Sequence, residues 1–368
     1  MECWSSLRSS TDNSEADNSE ADNSEADIDD PGDNSPPRFL KKFFFKSDPE
    51  NARRFFGYNT RKEMLAWLKV HFPWLKETYS VRHKGKLRRL TDFEQACMAR
   101  MYFRTQDTIG QLAALWETER RSCGKAIQRW AKKWEYVSKL WCRLTFSREY
   151  LLKCQVQGMK ERYGLPISHL VDGTVCRTEH PRKNNASKKC MFNNKIQDPG
   201  TLALAHTSPT GLIFFATDMY GGNATEVDLV RIYRTWWSIY PRGFARLVDK
   251  GFARNTNVHY INGNKAIFPA FLTKKSAAKS ASRTPQLTRQ EVVDSSNQSE
   301  DRYVVETTFS RVKCERRLQG TVTHSDIKYI NAAYLVGCVA ANQLKPLRLP
   351  ETWSSLEEDF ARAKQLSP

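Results

Sequence analysis

From residue 166 onward the apolar runs of this chain follow an order that few folds accommodate. Residues 166–174 (PISHLVDGT), 201–207 and 211–217 (GLIFFAT) read as three strands, the last two joined by the turn signal Ser208-Pro209-Thr210-Gly211. Residues 225–237 read as a helix with Val227, Val230, Ile232 and Tyr233 mostly inward. Residues 244–248 (FARLV) and 266–272 (AIFPAFL) read as two more strands, and Pro269 marks the second as an edge. Residues 301–318 form a closing helix. The order is β–β–β–α–β–β–α, which defines an α/β domain built on a mixed sheet.

That order distributes three carboxylates in a particular way. Asp172 lies on the first strand, Asp249 at the end of the fourth and Glu306 on the closing helix. If strands one and four are parallel neighbours, about 4.8 Å apart, Asp172 and Asp249 can share a metal ion. Carboxylates are hard ligands, and two divalent cations about 3.5–4 Å apart suit phosphodiester cleavage. Arg302 and Lys313 fall on the face of Glu306, within reach of phosphate, while Val305, Phe309 and Val312 pack the opposite side. Asp218 is the rival acid, since it too ends an apolar strand. In a meander its strand lies two places from the first, roughly 10 Å away, so it is expected to cap the turn at Gly221-Gly222 instead. Any one of these acids alone is more often a turn residue than a catalyst. Cys176, His180 and Cys190 lack a zinc-site spacing.

The preceding region, residues 38–143, reads as helical. Met64, Leu65, Leu68 and Phe72 recur at helical spacing, Thr60 and Glu63 form a capping-box pattern, and Pro73 closes the segment. Within residues 90–134 three helices follow one another. The first opens at Thr91-Asp92-Phe93-Glu94, the second spans 108–116, and the third, 120–134, places Ile127, Trp130 and Trp134 on one face. Two helices joined by a tight turn with a basic last helix look like a helix-turn-helix. Arg120, Arg121, Lys125, Gln128 and Arg129 are then the candidate DNA contacts. Glu117-Thr118 stands at the turn, where a Gly is often found.

Charge separates the chain into two parts. Of its 368 residues, 58 are Lys or Arg and 41 Asp or Glu, net +17. Residues 1–36 hold eleven of the acids and one base, net −10, which leaves 57 bases and 30 acids, net +27, for the rest. The basic body points to a polyanion, most simply nucleic acid. The tail contains three copies of DNSEA and no large apolar side chain among them, so it is expected to be disordered. No apolar run approaches the roughly 20 residues of a membrane span. No signal-peptide pattern opens the chain, so an intracellular protein is expected, nuclear if eukaryotic and otherwise cytoplasmic. The nine cysteines are scattered without a CxxC pair, which argues against a disulfide framework.

Five stretches together resemble DDE transposases of the PIF/Harbinger and insertion-sequence type. They are LVDGT around Asp172, SPTGLIFFATDMYGG at 208–222, RLVDKGF around Asp249, IFPAFL at 267–272, and RYVVETTFSRVK at 302–313. The resemblance covers about residues 38–345. It implies a ribonuclease H-like catalytic domain over 160–345, preceded by the helical region 38–143 and flanked by the tail 1–37 and a C-terminal tail 346–368. It also implies Asp172, Asp249 and Glu306 as ligands of Mg²⁺ or Mn²⁺, and Arg302, Arg311 and Lys313 as DNA contacts. The implied activity is metal-dependent hydrolysis at transposon ends followed by strand transfer, on double-stranded DNA. A homo-oligomer and an accessory DNA-binding protein are implied partners. Three features depart from the family pattern: Lys250 follows the second Asp where Arg is usual, a Lys is missing near Ala203, and Glu226 stands where an Asp is usual. Two other readings stay open: a domesticated derivative that binds DNA without cutting it, and a basic RNA-binding protein.

Overall fold

The computed structural model describes residues 49–349 apart from 59, 81–86, 88, 183, 254–255, 271–286 and 345. The acidic repeats, the basic Phe-rich segment that follows them and the end of the C-terminal tail lie outside the described residues. The chain divides into two compact units, one of residues 1–137, 177–190 and 313–336, the other of 138–176, 191–312 and 337–368.

The first unit is built on helices Pro49–Phe56, Arg61–His71, Asp92–Arg104, Ile109–Leu115 and the greater part of Arg120–Trp141. Their starts are chemically marked. Thr91 and Glu94 form a reciprocal capping box, as do Thr108 and Gln111. Thr60 accepts from the Glu63 amide. The tight turn before the last helix places Glu117 at φ 53°, the left-handed conformation that a Gly would adopt without strain. Trp116, Trp130 and Trp134 are fully buried, and Trp134 stacks on Trp67 at 4.8 Å between ring centroids. At the heart of this unit Arg100 donates to both oxygens of Glu315, at 2.6 and 2.8 Å.

The second unit contains most of a mixed sheet. Its strands are β1 (Ile167–Thr178), β2 (Phe192–Asn193), β3 (Asp198–Thr207), β4 (Ile213–Ala216), β5 (Tyr220–Gly221), β6 (Ala245–Leu247), β7 (Tyr260–Ile261) and β8 (Asn264–Ile267). The strand order is β2–β3–β1–β6–β8–β7, with β4 and β5 antiparallel on β3. Strands β1, β6 and β8 run parallel, with His169 opposite Arg246 and Leu247 opposite Ile267. In the first unit the end of β1, Arg177–Thr178, pairs with β9 (Thr321–Val322). Val171, Leu202, Leu204, Leu229, Trp237, Val248 and Phe252 form the apolar core against the sheet. Burying such side chains stabilises by about 1.5–3 kcal/mol each.

Several elements differ from the sequence expectation. The helix expected over 225–237 is two helices, Glu226–Ile232 and Arg234–Ser238, divided at Tyr233, whose amide turns to Arg231 and Leu229 and whose hydroxyl is engaged by Asp218 and Tyr220. The last expected strand is short, because β8 stops at Ile267, before Pro269. The closing helix runs Arg289–Val312, so it begins well ahead of the expected start at residue 301. Its start is fixed by Thr288 and Glu291, whose side chains each accept from the other's amide. Beyond Val312 the chain tightens into the 3-10 turn Arg316–Leu318 rather than continuing the helix.

Candidate functional site

Asp172 and Asp249 are brought together by strand pairing. β1 carries Asp172 just past its paired segment Ile167–Leu170, and Asp249 stands two residues past the end of β6, at the start of the 3-10 turn Lys250–Phe252. Because β1 and β6 are parallel neighbours, both acids emerge at the same, C-terminal, edge of the sheet. The long helix Arg289–Val312 is pinned to that edge by Gln298, whose amide donates to the Ile267 carbonyl at 2.9 Å. One turn later Arg302 reaches both acids, with Nη1 3.0 Å from Asp249 Oδ1 and Nη2 3.5 Å from Asp172 Oδ2.

A third carboxylate enters from another element. Thr225 and Asp228 form a capping box that starts helix Glu226–Ile232, and Glu226 is its first residue. Its Oε1 would lie 2.4 Å from a Cβ placed on Gly173. Lys195 Nζ stands 3.9 Å from the same oxygen, held in a turn where the Asn193 side chain accepts from the Lys195 and Ile196 amides. Burial pushes the Asp172 carboxyl above its ordinary range, and the Asp249 charge adds to this, against Arg302, the Gly173 amide and Lys195. Burial raises Glu226 likewise; Asp172 and Asp249 add to it, and Lys195 and Arg302 oppose. Three acids thus share one electrostatic neighbourhood with two cations. Among the described residues no three His, Cys, Asp or Glu side chains are gathered closely enough to hold a metal ion as they stand. The donor set is nevertheless all oxygen and short of positive charge, which suits Mg²⁺ or Mn²⁺, and Arg302 lies between the two aspartates.

The remaining expected residues are placed as follows. Glu306 is exposed on the long helix, four residues past Arg302 and so one turn along the same side. Asp218, expected to cap the turn at Gly221-Gly222, accepts from Lys139 at 2.9 Å, Arg143 at 3.3 Å and the Tyr233 hydroxyl at 3.2 Å. These donors claim it because β4 ends beside them, two strands from β1. Arg120, Arg121, Lys125 and Gln128 are exposed along helix Arg120–Trp141. Arg129 is exposed too, but its guanidinium is held by Asp92 and Gln95. Arg302 faces the acids rather than solvent, Arg311 is half-buried near the end of its helix, and Lys313, just beyond it, is half-buried with its carbonyl accepting from Gln319. Sequence reasoning gave neither Glu226 nor Lys195 a role. The T-x-x-D capping pattern at Thr225–Asp228, which fixes Glu226 at the first turn of a helix, was the available signal for the first.

Residues 171–342 match the model of a family described as DDE superfamily endonuclease. The matched stretch contains Asp172, Glu226, Asp249, Arg302 and Glu306. No curated protein matches the chain. Among solved structures, the Mos1 strand transfer complex is 12% identical and aligns over 81% of this chain and 95% of that one, with a TM-score of 0.19. A pre-cleavage Mos1 transpososome is 12% identical over 81% and 96%, with a TM-score of 0.16. Scores at this level do not define a shared fold.

Proposed function

We propose that the chain is a transposase-like, divalent-metal-dependent DNA endonuclease that cleaves phosphodiesters at transposon ends and transfers the strand. The observation that carries this reading is the juxtaposition of Asp172 and Asp249 at the edge of two parallel strands, inside the stretch that matches DDE superfamily endonucleases. The sheet order β4–β3–β1–β6–β8 with β1, β6 and β8 parallel supports a ribonuclease H-like domain. Asp172, Asp249 and, from the closing helix, Glu306 would hold the metal. Bound there, divalent cations activate water and stabilise the leaving oxygen of a phosphodiester. Arg302 holds the two aspartates in place, and Lys195, 62% exposed beside them, offers a cation to an incoming phosphate. In the first unit, the exposed Arg120, Arg121, Lys125 and Gln128 form the DNA-reading face of a helix-turn-helix. Homo-oligomerisation, an accessory DNA-binding protein and an intracellular, DNA-associated location go with this reading. Among the described residues no helix is long and apolar enough to cross a membrane.

A second reading, a DNA-binding derivative that no longer cuts, is favoured by one observation: Arg302 bridges the aspartates while Glu306 is exposed. Incubation with supercoiled or terminal-repeat DNA and Mg²⁺ or Mn²⁺ separates the two. The endonuclease reading expects nicking by the wild type and a loss of at least about 100-fold in Asp172→Ala and Glu306→Ala, equivalent to about 2.7 kcal/mol of transition-state stabilisation. Duplex binding without nicking supports the derivative.

A further inference from the structure

Gly173 follows Asp172 directly, and its bare α-carbon has a physical reason. A Cβ there would stand 2.4 Å from Glu226 Oε1 and 3.0 Å from its carboxyl carbon, closer than side chains approach one another. Only glycine lets the Glu226 carboxylate lie on the β1 backbone at the point where the Gly173 amide donates to Asp172 at 2.8 Å. The other oxygen of Glu226 is on the side of Gly251: Glu226 Oε2 and Asp249 Oδ2 lie 3.6 and 3.8 Å from the position a Cβ would take there. The Glu226 carboxylate thus lies against Gly173, beside Asp172, and within electrostatic reach of both aspartates.

Helix formation does not account for Glu226. The capping box at that helix start is completed by Thr225 and Asp228. Among the described residues the one ion-pair partner of Glu226 is Lys195, at 3.9 Å and largely in solvent. A carboxylate three-quarters or more buried, laid against glycine and in the field of two aspartates, is arranged for a cation.

We propose that Glu226 is a ligand of the divalent cation held by Asp172 and Asp249, and that Gly173 is the residue that admits it. The proposal rests on the endonuclease reading of those two aspartates. It adds an oxygen donor from a helix start to the two from strand ends and to Glu306 of the closing helix, so that four carboxylates would serve Mg²⁺ or Mn²⁺.

The test is Mn²⁺ binding to the full chain without DNA, followed by calorimetry and by the loss of the free Mn²⁺ paramagnetic signal, with circular dichroism to verify folding. Wild type binds Mn²⁺. Glu226→Gln, of the same shape, binds at least about 10-fold more weakly, since even residues that merely support ligands are worth that much. Gly173→Ala, whose methyl displaces the carboxylate, weakens binding to a similar degree, and the double variant loses little more. Should Glu226→Gln not fold, Glu226→Asp keeps the charge at the helix start and withdraws the oxygens by one methylene; it is expected to show the same weakening. Wild-type affinity in the folded Glu226 variants together with lost affinity in Asp172→Asn overturns the role of Glu226 and leaves the endonuclease reading standing. Unchanged affinity in Asp172→Asn and Glu226→Gln alike, or no binding by wild type, overturns both.

Discussion

Two of the arginine–carboxylate clusters in this chain stand in opposite proportions. In the first unit Glu315 takes two bonds from Arg100 and an ion pair from Arg104 at 3.6 Å, with the Arg100 and Glu315 side chains about 1% exposed. In the second, Arg302 is shared between Asp172 and Asp249, with Glu226 in the same neighbourhood and Lys195 at its rim. The first has two guanidiniums for one carboxylate, so it has no negative charge left for a cation. The second leaves more negative than positive charge at an accessible strand edge, Asp249 being 38% exposed. A saturated pair is a structural device. An undersaturated one, at the end of parallel strands, invites a further cation.

The largest expected effect lies in breaking the buried pair of Arg100 and Glu315. Glu315→Gln leaves the Arg100 cation buried without a countercharge and is expected to cost about 3–5 kcal/mol. Arg302→Gln leaves the acids without their bridging partner and is expected to cost about 1–3 kcal/mol. The comparison is sharpened by adding Mn²⁺ during urea unfolding. At one Mn²⁺ concentration the Glu315 variant gains what wild type gains, about 2.7 kcal/mol at 100 times the dissociation constant, because it keeps the same acids, whereas the Arg302 variant, freed of the guanidinium that competes for them, gains more. Equal rescue of both, or of neither, removes the distinction between them.

The same contrast explains what was legible in the sequence. Apolar runs located every major strand, since period and turn chemistry are local, and Asp172 and Asp249 stood out because each follows such a run. The parallel pairing of β1 with β6 entered the sequence reading only as a condition, because strand order is set by long-range pairing, and the structure supplies it. Local pattern misjudged the long helix, whose first half, RQEVVDSSNQSE, has no apolar stripe and is marked by the Thr288–Glu291 cap alone. Glu226 was noticed as a family departure but not as a neighbour of the aspartates, because that contact spans more than fifty residues and depends on one glycine having no side chain. The partner of Asp218 was equally hidden, as Lys139 and Arg143 are some eighty residues away.

Acidification sets two parts of the sheet against each other. His169 and His206 stack at 4.6 Å beside Tyr240, Trp237 and the buried Arg246. Burial pushes His206 down to about 3, with Arg246 adding to the effect, and lowers His169 in the same direction through burial, His206 and Arg246. Depressed folded-state values mean that these histidines contribute stability above pH 6.5, lost as pH falls toward 3, at up to about 1.4 kcal/mol per pH unit for each group. Asp172 and Glu226 are raised, so their contribution has the opposite sign: it is present at low pH and lost as pH rises through their folded-state values. Unfolding free energy measured between pH 7 and 5 is therefore expected to fall in wild type and to fall less in His206→Gln. Carried down toward pH 3.8, the same scan falls more steeply in Asp172→Asn, which removes an opposing contribution. Parallel slopes in all three proteins would defeat the assignment.

The smallest effects on stability belong to the exposed face of helix Arg120–Trp141, where the same distinction between engaged and unengaged arginines recurs. Arg121 and Lys125 are exposed, whereas Arg129 is held by Asp92 and Gln95. Arg121→Ala and Lys125→Ala are each expected to weaken duplex binding for all sequences alike and to reduce the slope of log affinity against log salt by about 1, with unfolding unchanged. Arg129→Ala is expected to reduce that slope by less, because its guanidinium already has a carboxylate to satisfy. Gln128→Ala is expected to leave the slope intact and to alter preference at one base pair by about 1–3 kcal/mol, since a side-chain amide reads base edges and carries no charge to release counterions. Titrations of one duplex and its single-base variants at four salt concentrations resolve these outcomes. A slope unaffected by Arg121→Ala and Lys125→Ala would move the DNA contact off this helix while leaving the acid cluster at the strand ends untouched.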